Sequence, residues 1–321
     1  MNINSKLLFA VILVLIMGGR AVSFGAALSA AGQTRKPRRP NSAAARASVP
    51  RAVRFREVAG RGLLTETWVN GAGPFSFAID TGAGATLLSP RVADEARVKI
   101  TTGRATSIAG LSGAAVTAHE ASLQSLAVGD SENYLPAKGA VIVTSGLPSD
   151  LDGVLDPTEA FSPLGYVIDL PGRELAAFDP GDNPVRLGHE PDEGTVVRWL
   201  RESHGRRPFV MLDNGERALL DTGSSLGFAL KDNSRSDGQR MSGYSVRDVG
   251  GGRVSARRIA PVTISIGSLT LRNIPTDVIS GAEADAPVLL GLSALRPFRL
   301  RFDPLHQLIE IAPMMNGQRE E

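Results

Sequence analysis

One short phrase occurs twice in this chain, and the repetition constrains the fold more than any other feature. Phe77-Ala78-Ile79-Asp80-Thr81-Gly82-Ala83-Gly84 returns as Ala218-Leu219-Leu220-Asp221-Thr222-Gly223-Ser224-Ser225. In each copy an apolar run leads into Asp-Thr-Gly and a second apolar run follows, so the tripeptide reads as a tight turn between two buried strands. Glycine lets the backbone turn where a side chain would clash. A threonine hydroxyl can bond the main chain of a neighbouring loop. A single Asp-Thr-Gly is no more than a turn signal; two in matched surroundings describe a pair of rigid carboxylate mounts.

The surroundings do match. Val69-Asn70-Gly71-Ala72-Gly73 precedes the first aspartate and Asp213-Asn214-Gly215 the second, the latter a two-residue hairpin signal. Glycine-rich turns follow at Gly110-Leu111-Ser112-Gly113 and Gly250-Gly251-Gly252, with Gly110 and Gly251 each 30 residues beyond their aspartate. Leu126–Gly129 and Ile264–Gly267 come next, then Gly153-Val154-Leu155-Asp156 against Val288-Leu289-Leu290-Gly291. The chain therefore reads as one module of roughly a hundred residues used twice.

With these motifs in place the sequence resembles the aspartic peptidase superfamily, in the single-chain bacterial form that fuses two retropepsin-like lobes. Val69 to Ala83 is similar to the family's hairpin and active-site signature, and the resemblance spans most of residues 55 to 312. It implies an all-β, bilobed, pepsin-like fold of two β-barrel-like lobes with the active site between them. It also implies that Asp80 and Asp221 are the catalytic pair, and that Thr81 and Thr222 grip the opposite loop. Gly82, Gly223 and Ser224 support the pair, and the turns at Gly110 to Gly113 and Gly250 to Gly252 correspond to flaps over an extended peptide.

The chemistry needs two copies. Two carboxylates held close together share one proton and titrate as a unit. One then acts as base toward a bound water while the other acts as acid toward the peptide carbonyl. No metal or cofactor is called for. Rival motifs are lacking: His119, His189, His204 and His306 are scattered without metal-ligand spacing, and neither glycine-rich turn forms a nucleophile elbow or a phosphate loop.

The copies also differ. Ala83 stands where the second copy has Ser224, whose hydroxyl is expected to donate to Asp221, leaving Asp80 to carry the shared proton. The family has glycine behind each Asp-Thr-Gly loop; Gly291 conforms and Asp156 does not. The expected accommodation is a strand that ends one residue early, with Asp156 facing solvent. Neither flap carries the aromatic residue of pepsin-like enzymes, so a catalytically impaired peptide-binding or scaffold protein is the alternative reading.

Around this core, residues 1–31 read as a signal peptide, with Lys6 ahead of an apolar run from Leu7 to Met17 that is too short for a comfortable membrane span. An uncleaved membrane anchor is the alternative. The expectation is an exported protein, periplasmic or secreted, with inner-membrane tethering as the second choice. Residues 32–52 read as a disordered basic linker or a pro-segment, 53–190 as the first lobe, 191–313 as the second and 314–321 as a tail. The first 56 residues hold ten of the 35 basic residues and none of the 33 acidic ones, so the body carries a net charge of −8. An acidic body without aromatic interleaving argues against a nucleic-acid partner. A peptide or protein substrate and a monomer are expected, both halves of the site being in one chain.

Overall fold

The computed structural model describes residues 49–136, 139–202, 205–232 and 243–314. The leader, the basic stretch as far as residue 48, His204 and the tail from residue 315 lie outside these. The described chain is all-β, as expected, with three sheets and three short helices among the described residues.

The first sheet bonds its strands in the order Gly62–Val69, Ala72–Ile79, Gly153–Leu155, Leu87–Leu88, Ala140–Thr144, Ala115–Ser122 and Lys99–Ala109. Arg56–Val58 and Leu126–Val128 are added beside Gly62–Val69. The second runs Phe209–Met211, Arg217–Asp221, Val288–Gly291, Phe228–Lys231, Leu269–Ser280, Arg253–Ile266 and Tyr244–Arg247. In both, successive neighbours pair antiparallel, parallel, antiparallel, parallel, antiparallel and antiparallel. Each aspartate thus ends a strand held in mid-sheet, where both faces are covered and the sequence must be apolar throughout. Phe77-Ala78-Ile79 and Ala218-Leu219-Leu220 meet that demand and are buried.

Their side chains alternate between two cores, as strand geometry dictates. Phe77, Ile79, Ala218 and Leu220 enter a central core common to both halves. Ala78 turns the other way, into a core of the first half with Leu64, Ala83, Leu87 and Val154. Leu219 does the same in the second half with Phe209, Leu226, Ala229 and Leu289.

A six-stranded sheet ties the halves together. Its order is Val53–Arg54, Glu174–Phe178, Gly165–Asp169, Phe298–Asp303, Leu308–Pro313 and Thr195–Arg198, three strands from each half. The seam is the antiparallel pairing of Tyr166 with Phe302 through Asp169 with Arg299. Tyr166 stacks on Phe302 at 4.6 Å between ring centroids, and Trp199 meets the same ring edge-on at 5.8 Å.

Two turns depart from the sequence reading. Asn70 and Gly71 both take positive φ and form a two-residue hairpin, the turn that was expected of the second copy. Asn214-Gly215 does not: only Gly215 has positive φ, and Gly215 N–H donates to Leu212 O at 3.0 Å. That is the longer hairpin in which an ordinary turn is followed by a left-handed glycine. The second departure concerns the equal 30-residue spacing to Gly110 and Gly251. The residues that correspond in conformation are Gly113 and Gly251, with φ of 73° and 77° and N–H groups bonded to Gly110 O and Asp248 O. Gly110 corresponds to Asp248, and the equal spacing is coincidental.

Candidate active site

The two Asp-Thr-Gly loops meet face to face at the centre of the molecule, and the threonines are what hold them. Thr81 Oγ1 donates to Leu220 O at 2.6 Å and accepts the Thr222 N–H at 3.1 Å. Thr222 Oγ1 donates to Ile79 O at 3.0 Å and accepts the Thr81 N–H at 3.1 Å. Each hydroxyl therefore spans from its own loop to the strand that ends in the opposite aspartate. All four groups are buried, where an unmade bond costs about 1–3 kcal/mol.

The glycines bring the carboxylates together. A Cβ on Gly82 would lie 2.8 Å from Asp221 Cγ, and one on Gly223 would lie 2.2 Å from Asp80 Oδ2. No side chain fits at either place, and the space is taken by the aspartate of the other half. Asp80 Oδ1 accepts the Gly82 N–H at 2.7 Å, and Asp221 Oδ1 accepts those of Gly223 at 2.9 Å and Ser224 at 3.1 Å. Asp221 Oδ2 is buried and meets no N–H or hydroxyl among the described residues, and the Asp80 carboxyl lies within hydrogen-bonding reach of the Asp221 carboxyl.

Electrostatics make the pair unequal. Burial pushes the Asp80 carboxyl well above the usual carboxylate range, the Asp221 charge adds to the rise, and Asp156 adds a little more. Burial also raises Asp221, to about 6, against the opposing pull of the Asp80 carboxyl, the Gly223 and Ser224 N–H groups and the Arg207 cation. Asp221 is the readier to ionise and Asp80 the readier to hold a proton. The expected direction therefore holds, but its expected cause does not. Ser224 reaches Asp221 through its main-chain N–H, while its hydroxyl accepts the Leu226 N–H at 3.3 Å.

Behind each loop passes a strand. Leu289, Leu290 and Gly291 pair with Leu219, Leu220 and Asp221, and a Cβ on Gly291 would lie 2.5 Å from Leu226 O and 2.7 Å from Ser224 O. In the first half Val154 and Leu155 pair with Ala78 and Ile79, and the strand stops there. It does end one residue early, as expected. Asp156, however, is not turned to solvent; it is 1 % exposed. Its Oδ1 caps the helical turn Pro157–Ala160 by accepting the Thr158 N–H at 2.9 Å, and its N–H donates to Thr86 Oγ1 at 3.3 Å. Burial, with the Glu159 charge beside it, pushes Asp156 up to about 7.

The glycine-rich turns are closed onto one another. Leu111 is 1 % exposed and packs among Phe209, Leu219, Leu226 and Leu289 of the second half. Val249 is 0 % exposed and packs among Ala83, Leu87, Ile108 and Val154 of the first. Each turn places its tip residue in the other half's core. Ser112 N–H donates to Asp248 Oδ2 at 2.8 Å and Ser112 Oγ does so at 2.5 Å, while Glu283 N–H donates to Leu111 O at 3.1 Å. Gly110, Leu111, Ser112 and Gly113 were assigned to the turn from sequence, as were Gly250, Gly251 and Gly252. Asp248 and Val249 fall in the same second stretch, but nothing in the spacing marks them as the residues that reach the other half. Matching the two left-handed glycines would have aligned Val249 with Leu111.

Residues 65–155 match the family model described as Aspartyl protease. The match takes in Asp80, its supporting Thr81 and Gly82, and the Gly110 to Gly113 turn, and it ends at Leu155, just before Asp156. A search of the curated proteins returned no match. The matched stretch, residues 65–155, is thus an aspartyl protease domain of the aspartic peptidase superfamily, and its Asp-Thr-Gly loop is set against a second one.

Proposed function

We propose that this protein is an exported aspartic endopeptidase that hydrolyses peptide bonds through a two-aspartate dyad and a bound water. One observation carries the reading: each Asp-Thr-Gly glycine is in contact with the opposite aspartate, so the carboxylates occupy the space in which a proton is shared. Asp221, the readier to ionise, takes a proton from the water as it attacks the scissile carbonyl. Asp80 gives its proton to the developing oxyanion. The two turns part to admit an extended peptide and close over it, their main chains pairing with it as added strands. Residues 1–31 supply the export signal, and an uncleaved anchor at the inner membrane is the variant of that reading. The buried Asp156, standing where the other half has Gly291, favours a second reading: a catalytically impaired protein that binds peptides and retains the fold.

Cleavage of a diverse peptide mixture across acid to neutral pH decides between them. Activity should rise as the pH passes about 6, where Asp221 loses its proton, and fall where Asp80 loses the shared one. Asp80→Asn and Asp221→Asn should each lower kcat/KM by roughly a thousandfold or more, and the double variant little further, because the two act as a unit. A folded protein that cleaves nothing at any pH would give the binding reading the weight.

A further inference from the structure

The two aspartates have neighbours of opposite charge, and those neighbours lie outside the Asp-Thr-Gly loops. Asp221 feels the cation of Arg207, whose guanidinium is held by Glu202 at 2.8 Å through Nε and set against the Phe209 ring at 5.6 Å. Beside Asp80 is a third carboxylate, Asp156. Strand register places it there. Leu155 pairs with Ile79 as Leu290 pairs with Leu220, so Asp156 comes level with Asp80 as Gly291 does with Asp221. The Asp80 N–H donates to Leu155 O at 3.0 Å, tying the loop that carries Asp80 to the peptide that leads into Asp156.

Asp156 is also fixed in place. Its Oδ1 and its main-chain O accept the N–H groups of Thr158 and Ala160, and its N–H is held by Thr86 Oγ1. Thr86 extends the network, because its own N–H donates to Glu159 Oε2 at 3.0 Å. Thr158 Oγ1 shares a hydrogen bond of 2.9 Å with Tyr166 Oη. The charged and titratable groups facing Asp156 are thus Glu159 on its own helical turn, Tyr166 from the six-stranded sheet, Arg206 ahead of strand Phe209–Met211, and Asp80. A glycine, as in the other half, could neither cap the turn nor bear a charge.

We propose that Asp156 is a positioning residue that keeps the shared proton on Asp80 and so widens, on its alkaline side, the pH range in which the dyad works. The proposal rests on reading Asp80 and Asp221 as a proton-sharing pair. A negative charge at Asp156 opposes a second negative charge at Asp80, while the Arg207 cation favours one at Asp221. The two influences act in the same direction along the pair. Because Asp156 itself ionises near 7, its charge appears as the pH climbs to where the second proton would otherwise leave. Below that point it acts only through its hydrogen bonds.

The test is carboxyl-carbon NMR titration of the full-length protein labelled at aspartate, beside the pH profile of kcat/KM, for the native chain and Asp156→Asn. Asparagine keeps the Oδ1 acceptor for Thr158 and removes the charge. In the variant the Asp80 titration and the alkaline limb of the profile should both move to lower pH, with roughly threefold lower kcat/KM on that limb. The acid limb should stay in place. Asp156→Ser, which also caps a helical turn, gives the same readout should asparagine disturb folding. An Asp80 titration that does not move in either folded variant overturns the proposal. If it moves while the native chain cleaves nothing, the role of Asp156 stands and the endopeptidase reading falls.

Discussion

Behind Asp221 the supporting strand runs on for one residue more than behind Asp80, and that residue is glycine. Gly291 lets the strand press against Ser224 and Leu226, so the second loop is supported by close main-chain contact, with the Ser293 hydroxyl donating to Ser225 O at 2.7 Å, and by no ionisable group among these contacts. In the first half the strand stops at Leu155, and the side chains of Asp156 and Thr86 fill the same role by accepting the N–H groups of Thr158 and Asp156 respectively. Close backbone contact is indifferent to pH; support by a buried acid is not. The comparison teaches that matching strand orders can carry unlike electrostatics at the one position where the backbone leaves room for a choice.

Alanine at the two positions should break the comparison most sharply. Gly291→Ala forces a Cβ into two main-chain oxygens and should cost about 3 kcal/mol or more, with loss of cleavage, as read by denaturant melts and peptide turnover. Asp156→Ala should instead change sign with pH. Removing the cap costs about 1 kcal/mol near pH 3, where Asp156 is protonated in both the folded and the unfolded chain. The folded Asp156 titrates at about 7 against an ordinary value of 3.8, so the stability it contributes is complete below about pH 4 and is lost as pH rises through 7. That loss is on the order of 4 kcal/mol. The variant should therefore melt below the native protein at pH 3 and above it at pH 8, and melts that stay below at both would refute this.

The crossed turn tips sharpen the comparison by their similarity. Leu111→Ala should cost about 3 kcal/mol and Val249→Ala about 2, since each leaves a cavity in the other half's core. Both should ease opening and raise KM and kcat together if opening limits turnover. The smallest effect is expected at Ser224→Ala. The hydroxyl does not serve Asp221, so the acid limb of the pH profile should move by less than the scatter of the measurement; a clear shift would restore the hydroxyl as a donor.

What the sequence made legible is whatever a local pattern enforces. The apolar runs into Asp80 and Asp221 had to be buried strands, and the grip of each threonine on the partner loop followed from the family resemblance; the glycines read only as turn formers, and the room they leave for the opposite aspartate was not legible. The all-β class and the register of Gly153 to Asp156 against Val288 to Gly291 follow from the same matching. Long-range packing was illegible. Nothing beside Leu111 or Val249 says that each sinks into the far half, and Asp248 has no counterpart to mark it as the acceptor for Ser112. Asp156 was legible as a departure but misplaced, because Asp-Pro reads as an exposed turn and the burial comes from a helical turn of only four residues. Ser224 shows the same limit at finer scale: the residue was right and the bonding atom was not.

The shared six-stranded sheet has a consequence for how the chain is made. Gly165–Asp169 has no partner on its inner edge until Phe298–Asp303 is synthesised, and the last strand, Leu308–Pro313, follows that. At ordinary translation rates of about 5–20 residues per second, the edge waits on the order of ten seconds before its neighbour exists. A nascent first half must spend that time with an unpaired strand edge and half of an aromatic core exposed, which makes this seam the place where a chaperone, or a second nascent chain, would bind.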